Sequence, residues 1–163
     1  MTSHRKIARQ RSYSNRHSAT HFGVLGDPDR IDEEGVIGEL AFADEFQIPH
    51  DQIKRKRPTA YNFKLNSGER VDVRTSRYQH ARLIVPPRVA KRKTIDVYVL
   101  VEISKSGNGL IRGWATASDV RKAPIRKISS LPGAERVHVL YQHELRDIEL
   151  LKIRHLPRTL SMF

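Results

Sequence analysis

The stretch AYNFKLNSGERVDVRTSR, Ala60 to Arg77, decides how this chain is to be read. Tyr61, Phe63 and Leu65 alternate with Asn62 and Lys64. After Asn66-Ser67-Gly68, Val71 and Val73 alternate with Asp72 and Arg74. Period-two alternation on both sides of a glycine-containing turn predicts a β-hairpin. Successive side chains of a strand point to opposite faces, so one face is apolar and the other carries Asn62, Asp72 and Arg74 together. An acid, an amide and a guanidinium sharing one face make a candidate site.

Upstream, GVIGELAFADEF (Gly35 to Phe46) has helical periodicity, with Val36, Leu40 and Ala43 in one stripe widened by Ile37, Ala41 and Phe42. Asp32 is placed to cap a helix that begins at Glu33 and Glu34, whose carboxylates suit its positive end, and Ile48-Pro49 closes it. Glu39 falls on the largely apolar face. An unpaired buried carboxylate costs roughly several kcal/mol, so Glu39 needs a cation, a metal or a hydrogen-bond donor, unless it reaches solvent past Gly35 and Gly38.

Downstream, Tyr78 to Lys93 reads as a loop with Pro86-Pro87 and the basic cluster Arg88, Lys91, Arg92 and Lys93. Ile95 to Ile103 is nearly continuous in apolar residues, the pattern of a central strand buried on both faces. The turn cluster Ser104 to Gly109 leads to a strand over Leu110 to Ala115. Thr116 or Ser118 then caps a short helix that Pro124 ends. A late strand at Val137 to Tyr141 and a short helix or extended turn at Leu145 to Leu151 complete an α/β fold. Its mixed central sheet is expected to have about four to five strands flanked by helices.

A chain of 163 residues suits one domain, here 22–163, preceded by an Arg- and Ser-rich flexible arm over 1–21. With no cysteine, disulfides, thiolate metal sites and cysteine nucleophiles are excluded, and a metal would need oxygen or imidazole ligands. No apolar run approaches the ~18 residues of a membrane span, and the N-terminus lacks a secretory apolar stretch, so a cytoplasmic protein without a membrane partner is expected.

Net charge is +12, and it is segregated. Residues 51 to 94 hold thirteen Lys and Arg against three acids, whereas Asp27 to Glu45 is acidic. This is the footprint of a phosphate-rich partner, nucleic acid before lipid, since no basic amphipathic helix with aromatic anchors is present. Lys54-Arg55-Lys56-Arg57 reads either as backbone binding or as a solvated loop.

The order of helical Glu39, hairpin acid position and Asp72-Val73-Arg74 resembles the core of the PD-(D/E)xK nuclease superfamily, and IDVYVLVEI followed by LIRGWATASDV extends the likeness over about Gly35 to Ser118. It implies a restriction-endonuclease-like core. It also implies a metal-dependent DNA endonuclease in which Glu39, Asn62 and Asp72 hold Mg²⁺ or Mn²⁺ and Arg74 stands in the lysine's place. Ser76, Arg77 and Tyr78 would then lie near the substrate backbone, and paired cuts would call for a homodimer.

The pattern departs twice, at Asn62 for the first acid and Arg74 for the lysine. Asparagine keeps one ligand oxygen but loses a charge. Arginine clamps phosphate but is too basic to abstract a proton. Two further readings therefore stand beside the nuclease: a degenerate nuclease fold that binds nucleic acid without cutting, and a structural subunit acting through its basic surface. Asp96, Glu102 and Lys105 offer a second acid set, but about 20 Å of strand rise separates the two acids. The histidines His50, His80, His138, His143 and His155 show no paired metal-ligand spacing, and Trp114 reads as core.

Overall fold

A computed structural model describes residues 28–50 and 61–156 together with His4, Arg5 and Ala8. Its elements, in chain order, are α1 (Pro28–Glu45), β1 (Phe63–Lys64), β2 (Arg70–Ser76), β3 (Leu83–Val85), α2 (Pro87–Ala90), β4 (Val97–Ile103), β5 (Gly109–Thr116), α3 (Ala117–Lys122), β6 (Ile125–Lys127), β7 (Arg136–Leu140) and α4 (Ile148–His155). The expected Lys54–Arg57 run and most of the expected arm lie outside the described residues. His4, Arg5 and Ala8 are helical and packed on the fold: His4 Nε2 meets Asp44 at 2.6 Å, Arg5 donates to Glu33 at 3.0 Å, and Ala8 is fully buried.

Helix α1 begins five residues before the expected start, with Pro28 at its first position. Proline's missing N–H is no loss in a first turn and its fixed φ suits the helix, so Asp32 lies inside α1 rather than capping it.

The central sheet has order β1-β2-β4-β5. β1/β2 and β4/β5 are antiparallel and β2/β4 is parallel, the mixed sheet that the sequence predicts. A parallel neighbour needs a crossover of a dozen or more residues. The segment that reads as a loop is that crossover, and it holds β3 and α2, each too short to leave a periodic signal. β3 joins β7 and β6 in a second, antiparallel sheet of order β3-β7-β6 that the sequence does not reveal.

β4 has six consecutive buried residues and divides the interior. Val97, Val99 and Val101 meet α1, Val71, Trp114 and Leu151 of α4. Tyr98 and Leu100 meet the second sheet, α2 and α3. The protein is therefore layered: α1 and α4, the central sheet, then the second sheet with α2 and α3.

The β5–α3 corner is held by polar groups. Thr116 and Asp119 form a reciprocal capping box, as expected of Thr116. Arg146 pairs with Asp119 and lies 5.0 Å over the Trp114 ring, and Trp114 exchanges backbone hydrogen bonds with Arg146 while its Nε1 donates to Asp147 O at 2.8 Å. Gly113 makes this approach possible, since at φ +142 a Cβ would meet Leu145 Cβ at 2.7 Å and Arg146 O at 2.8 Å.

Two stability measurements check this account. Gly113→Ala is expected to lower the unfolding free energy by about 2–3 kcal/mol through overpacking and backbone strain. Gly35→Ala in α1, where nothing lies within 4 Å, should raise it by roughly 0.5–1 kcal/mol; urea melts read both. The Arg146 hydrogen bond, with those from Thr116, holds the Asp119 carboxyl well below the usual carboxylate range. A depressed folded pKa contributes stability that is present above the unfolded value, about pH 3.9, and is lost as pH falls toward the folded one. Asp119→Asn should therefore lower stability at neutral pH and flatten its dependence below about pH 4, seen in thermal melts across that range.

Candidate functional site

The hairpin is built as its sequence suggests, but more briefly. Leu65 N donates to Glu69 O at 2.8 Å and Gly68 N to Leu65 O at 2.9 Å, with Gly68 at φ +90, the left-handed conformation that favours glycine. Asn66 Nδ2 donates to His155 O at 2.7 Å and ties the turn to the end of α4. β1 is reduced to two residues, and Asn62 lies just outside it.

The two faces of β2 have different neighbours. Val71, Val73 and Thr75 face α1, so closely that a Cβ on Gly38 would overlap Thr75 Cγ2. Glu39 follows Gly38 and belongs to that side. Asp72 and Arg74 alternate with those residues and stand opposite Tyr98 and Leu100 of β4, on the side of the second sheet.

The residues expected on one face are thus divided into two pairs. Asn62 Nδ2 donates to Glu39 Oε1 at 2.5 Å, while Asn62 Oδ1 accepts from Val73 N at 2.7 Å. On the other side Arg74 Nε donates to Asp72 Oδ2 at 2.6 Å. Asn62 reconciles a carboxylate with an apolar helix face by donating to it, something aspartate in its place does only when protonated. It also satisfies a β2 N–H that the short β1 leaves without a strand partner.

This arrangement does not fit a hard divalent cation held by Glu39, Asn62 and Asp72. Such an ion needs several oxygens converging at about 2.0–2.6 Å. Here the amide oxygen is occupied by a backbone donor, the Asp72 oxygen by a guanidinium, and the two carboxylates lie on opposite sides of the sheet. Among the described residues no group of three or more His, Asp or Glu side chains is placed to hold a metal.

The Asp72 side does assemble cations. Tyr98 is fully buried, its hydroxyl 3.4 Å from Val89 O at the end of α2. Burial, reinforced by the negative charge of Asp72, pushes its phenol up to about 12 against the opposing influence of Arg74, Arg121 and Arg92. The Asp72–Arg74 pair and the guanidiniums of Arg121 and Arg92 are therefore all close enough to Tyr98 for their charges to bear on its phenol. Arg121 NH1 also donates to Ala90 O at 3.5 Å, and the Arg92 N–H donates to Val89 O at 3.0 Å. Neither Arg92 nor Arg121 has a carboxylate partner among the described residues. Arg92 belongs to the basic cluster already evident in the sequence, whereas Arg121 sits in a short helix and only the tertiary fold brings it to Arg92.

The remaining candidates are elsewhere. Ser76 Oγ accepts from Tyr78 N at 3.2 Å, Tyr78 is 69% exposed, and Arg77 leans over its ring at 5.6 Å while lying 3.6 Å from Glu34. Arg77 thus joins the acidic α1 side, in a cavity of about 220 Å³ at the C-terminal ends of β2 and β4 that Arg5, Glu33 and Lys105 also line. Asp96 takes a two-pronged contact from Arg70 at 2.8 and 3.1 Å, and this tie holds the starts of the two parallel strands together. Glu102, buried, accepts from Arg112 of β5 at 3.0 Å, from Gln142 just after β7 at 3.1 Å and from Ala81 N just before β3 at 3.4 Å. Each is thus held by its own arginine, Asp96 just before β4 and Glu102 near its end.

Asn62→Ala removes the donor to Glu39 and the acceptor for Val73 N in one step, and should lower stability by about 1–3 kcal/mol, measured by urea unfolding. Comparison with protein-family models, with curated proteins and with solved structures gave no match to this chain, so the candidate site rests on its own geometry.

Proposed function

We propose that this chain binds the phosphate backbone of nucleic acid, DNA in the first instance, on a nuclease-like hairpin that no longer assembles a metal centre. The observation that carries this reading is the gathering of Arg74, Arg92 and Arg121 about Tyr98, whose hydroxyl meets Val89 O while Arg121 donates to the neighbouring Ala90 O and Arg74 to Asp72. The charge pattern supports it. Carboxylates on the α1 side are paired, Glu33 with Arg5, Asp44 with His4 and His50, Glu45 with Lys152. On the second-sheet side Lys91, Arg92, Lys93, Arg121 and Lys122 have no carboxylate partner among the described residues. A surface with surplus cations on one side attracts a polyanion and orients it. No described helix is long and apolar enough to cross a membrane.

Binding should fall steeply with salt. Arg92→Gln and Arg121→Gln should each weaken binding of a short duplex about threefold to tenfold at moderate salt and reduce the log–log salt slope by about 0.9, the value per phosphate contact. Asp72→Asn removes the one carboxylate in the cluster and releases Arg74, so it should tighten binding. Fluorescence anisotropy across a salt series reads all three; salt-independent binding, or no change in either arginine variant, rejects the proposal.

Metal-dependent cleavage is the second reading, favoured by one contact: Asn62 joins Glu39 of α1 to the backbone of β2, so the three motif elements adjoin. It requires Arg74 to leave Asp72. Plasmid incubated with Mg²⁺ or Mn²⁺ separates the two. Cutting that disappears in Asp72→Asn establishes the nuclease, whereas binding without cutting, unaltered in metal, supports the proposal. Asn62→Asp with Arg74→Lys asks whether those two positions alone withhold activity.

A further inference from the structure

The surface proposed to bind phosphate runs on into a feature that it does not require. α3 ends at Lys122, and Ala123-Pro124 lead directly into β6, from which every residue to Gly133 is exposed. β6 pairs with β7 through Ile125–His138, Arg126–Val137 and Lys127–Arg136, and Ile128 N donates to Glu135 O at 3.2 Å, extending the ladder one step. Beyond His138, which β3 also pairs, the product is a two-stranded ribbon with exposed side chains along β6 that follows directly on α3.

Its tip is stiff and apolar. Ala134 N donates to Leu131 O at 3.1 Å, with Pro132 and then Gly133 at φ +78 between them, the arrangement of a type II turn. Leu131 is 55% exposed and Ile128 42% exposed. The shaft is basic. Lys127 and Arg136 stand directly opposite each other across the ladder, a like-charge pair that destabilises an isolated ribbon. Arg126, Lys127 and Arg136 have no carboxylate partner among the described residues.

We infer that this hairpin is a DNA-inserting arm: Arg126, Lys127 and Arg136 hold phosphates on either side of a groove, and the Ile128–Leu131 tip enters it and wedges against a base step. The inference rests on the proposed function and deepens it. Grooves of duplex DNA admit a two-stranded ribbon, and exposed Ile, Leu and Pro on a basic arm are the side chains that unstack and bend a duplex. A nearby phosphate pair removes the Lys127–Arg136 repulsion, and a preformed turn limits the ordering entropy lost on insertion. A lipid surface would suit the charge, but the ribbon has no aromatic anchor from Pro124 to Arg136.

The test uses the full chain and a short duplex labelled at both ends, with anisotropy for affinity and energy transfer between the ends for bending. Lys127→Gln with Arg136→Gln should weaken binding about tenfold and make the salt slope shallower by about 2. Ile128→Ser with Leu131→Ser should leave the slope unchanged but abolish the rise in energy transfer. Both variants should melt like the parent, since the altered side chains are exposed. If both bind and bend DNA as the parent does, the arm is refuted while the proposed function stands on Arg92 and Arg121. If the parent binds no duplex, both readings fall together. Loss of binding by these variants to phosphatidylserine vesicles, with DNA binding intact, would overturn the inference in favour of a membrane arm.

Discussion

The structure depends on β4 being buried on both faces. A strand in that position must lose its polar surface, which Val97 to Val101 supply, and must be covered twice. α1 and α4 provide one cover, and the crossover, α3 and the second sheet provide the other. Once β4 is fixed, β2 is fixed as its parallel neighbour, with Arg70 and Asp96 tying the two starts together. The alternation of β2 then decides which of its polar residues meets which layer. Val71 and Val73 go to α1, and Asp72 and Arg74 to the other side.

That constraint explains why the hairpin's polar residues pair as they do. Each is half-buried against an apolar layer, where an unpaired charge is costly, so each takes the nearest complementary group. Glu39 takes the Asn62 amide across the α1 side, and Asp72 takes Arg74 two residues along its own strand. Acids elsewhere follow the same rule, Glu102 with Arg112 and Asp119 with Arg146. Because the chain has many more bases than acids, pairing leaves an excess of cations, and among the described residues many of them lie on the layer of α2, α3 and the second sheet.

How far the sequence discloses this differs by element. β4 and β5 are legible because their apolar runs are long and bounded by the Ser104–Gly109 turn, and α3 is legible from Thr116 and Pro124. β3, α2 and β6 are hidden because three- or four-residue elements carry no period, and β6 has no buried face at all. At the site, residue types and spacing identify Glu39, Asn62, Asp72 and Arg74 as side chains that need partners. They do not say which partners. The alternation rule places Asn62 with Asp72, but Asn62 lies beyond the end of a two-residue strand, where its amide is free to turn toward α1. Arg121 enters the cluster through tertiary contact alone.

Of the two departures from the nuclease pattern that the sequence resembles, Asn62 changes the local charge, whereas Arg74 keeps the lysine's charge and changes its shape. A helical glutamate with two hairpin acids and one lysine carries a net charge of about −2, which repels phosphate until a divalent cation is bound. With Asn62 for one acid the net charge rises by one, and with Arg74 committed to Asp72 the hairpin's own charges cancel, leaving Glu39 on the far side of the sheet. What an approaching phosphate meets on the Asp72 side is then the surplus of Arg92 and Arg121, together with the exposed part of Arg74. Arginine suits that task better than lysine, because its fork presents several donors at once. On the proposed reading, attraction that a metal ion supplies in the nuclease pattern is supplied here by the protein's own guanidiniums.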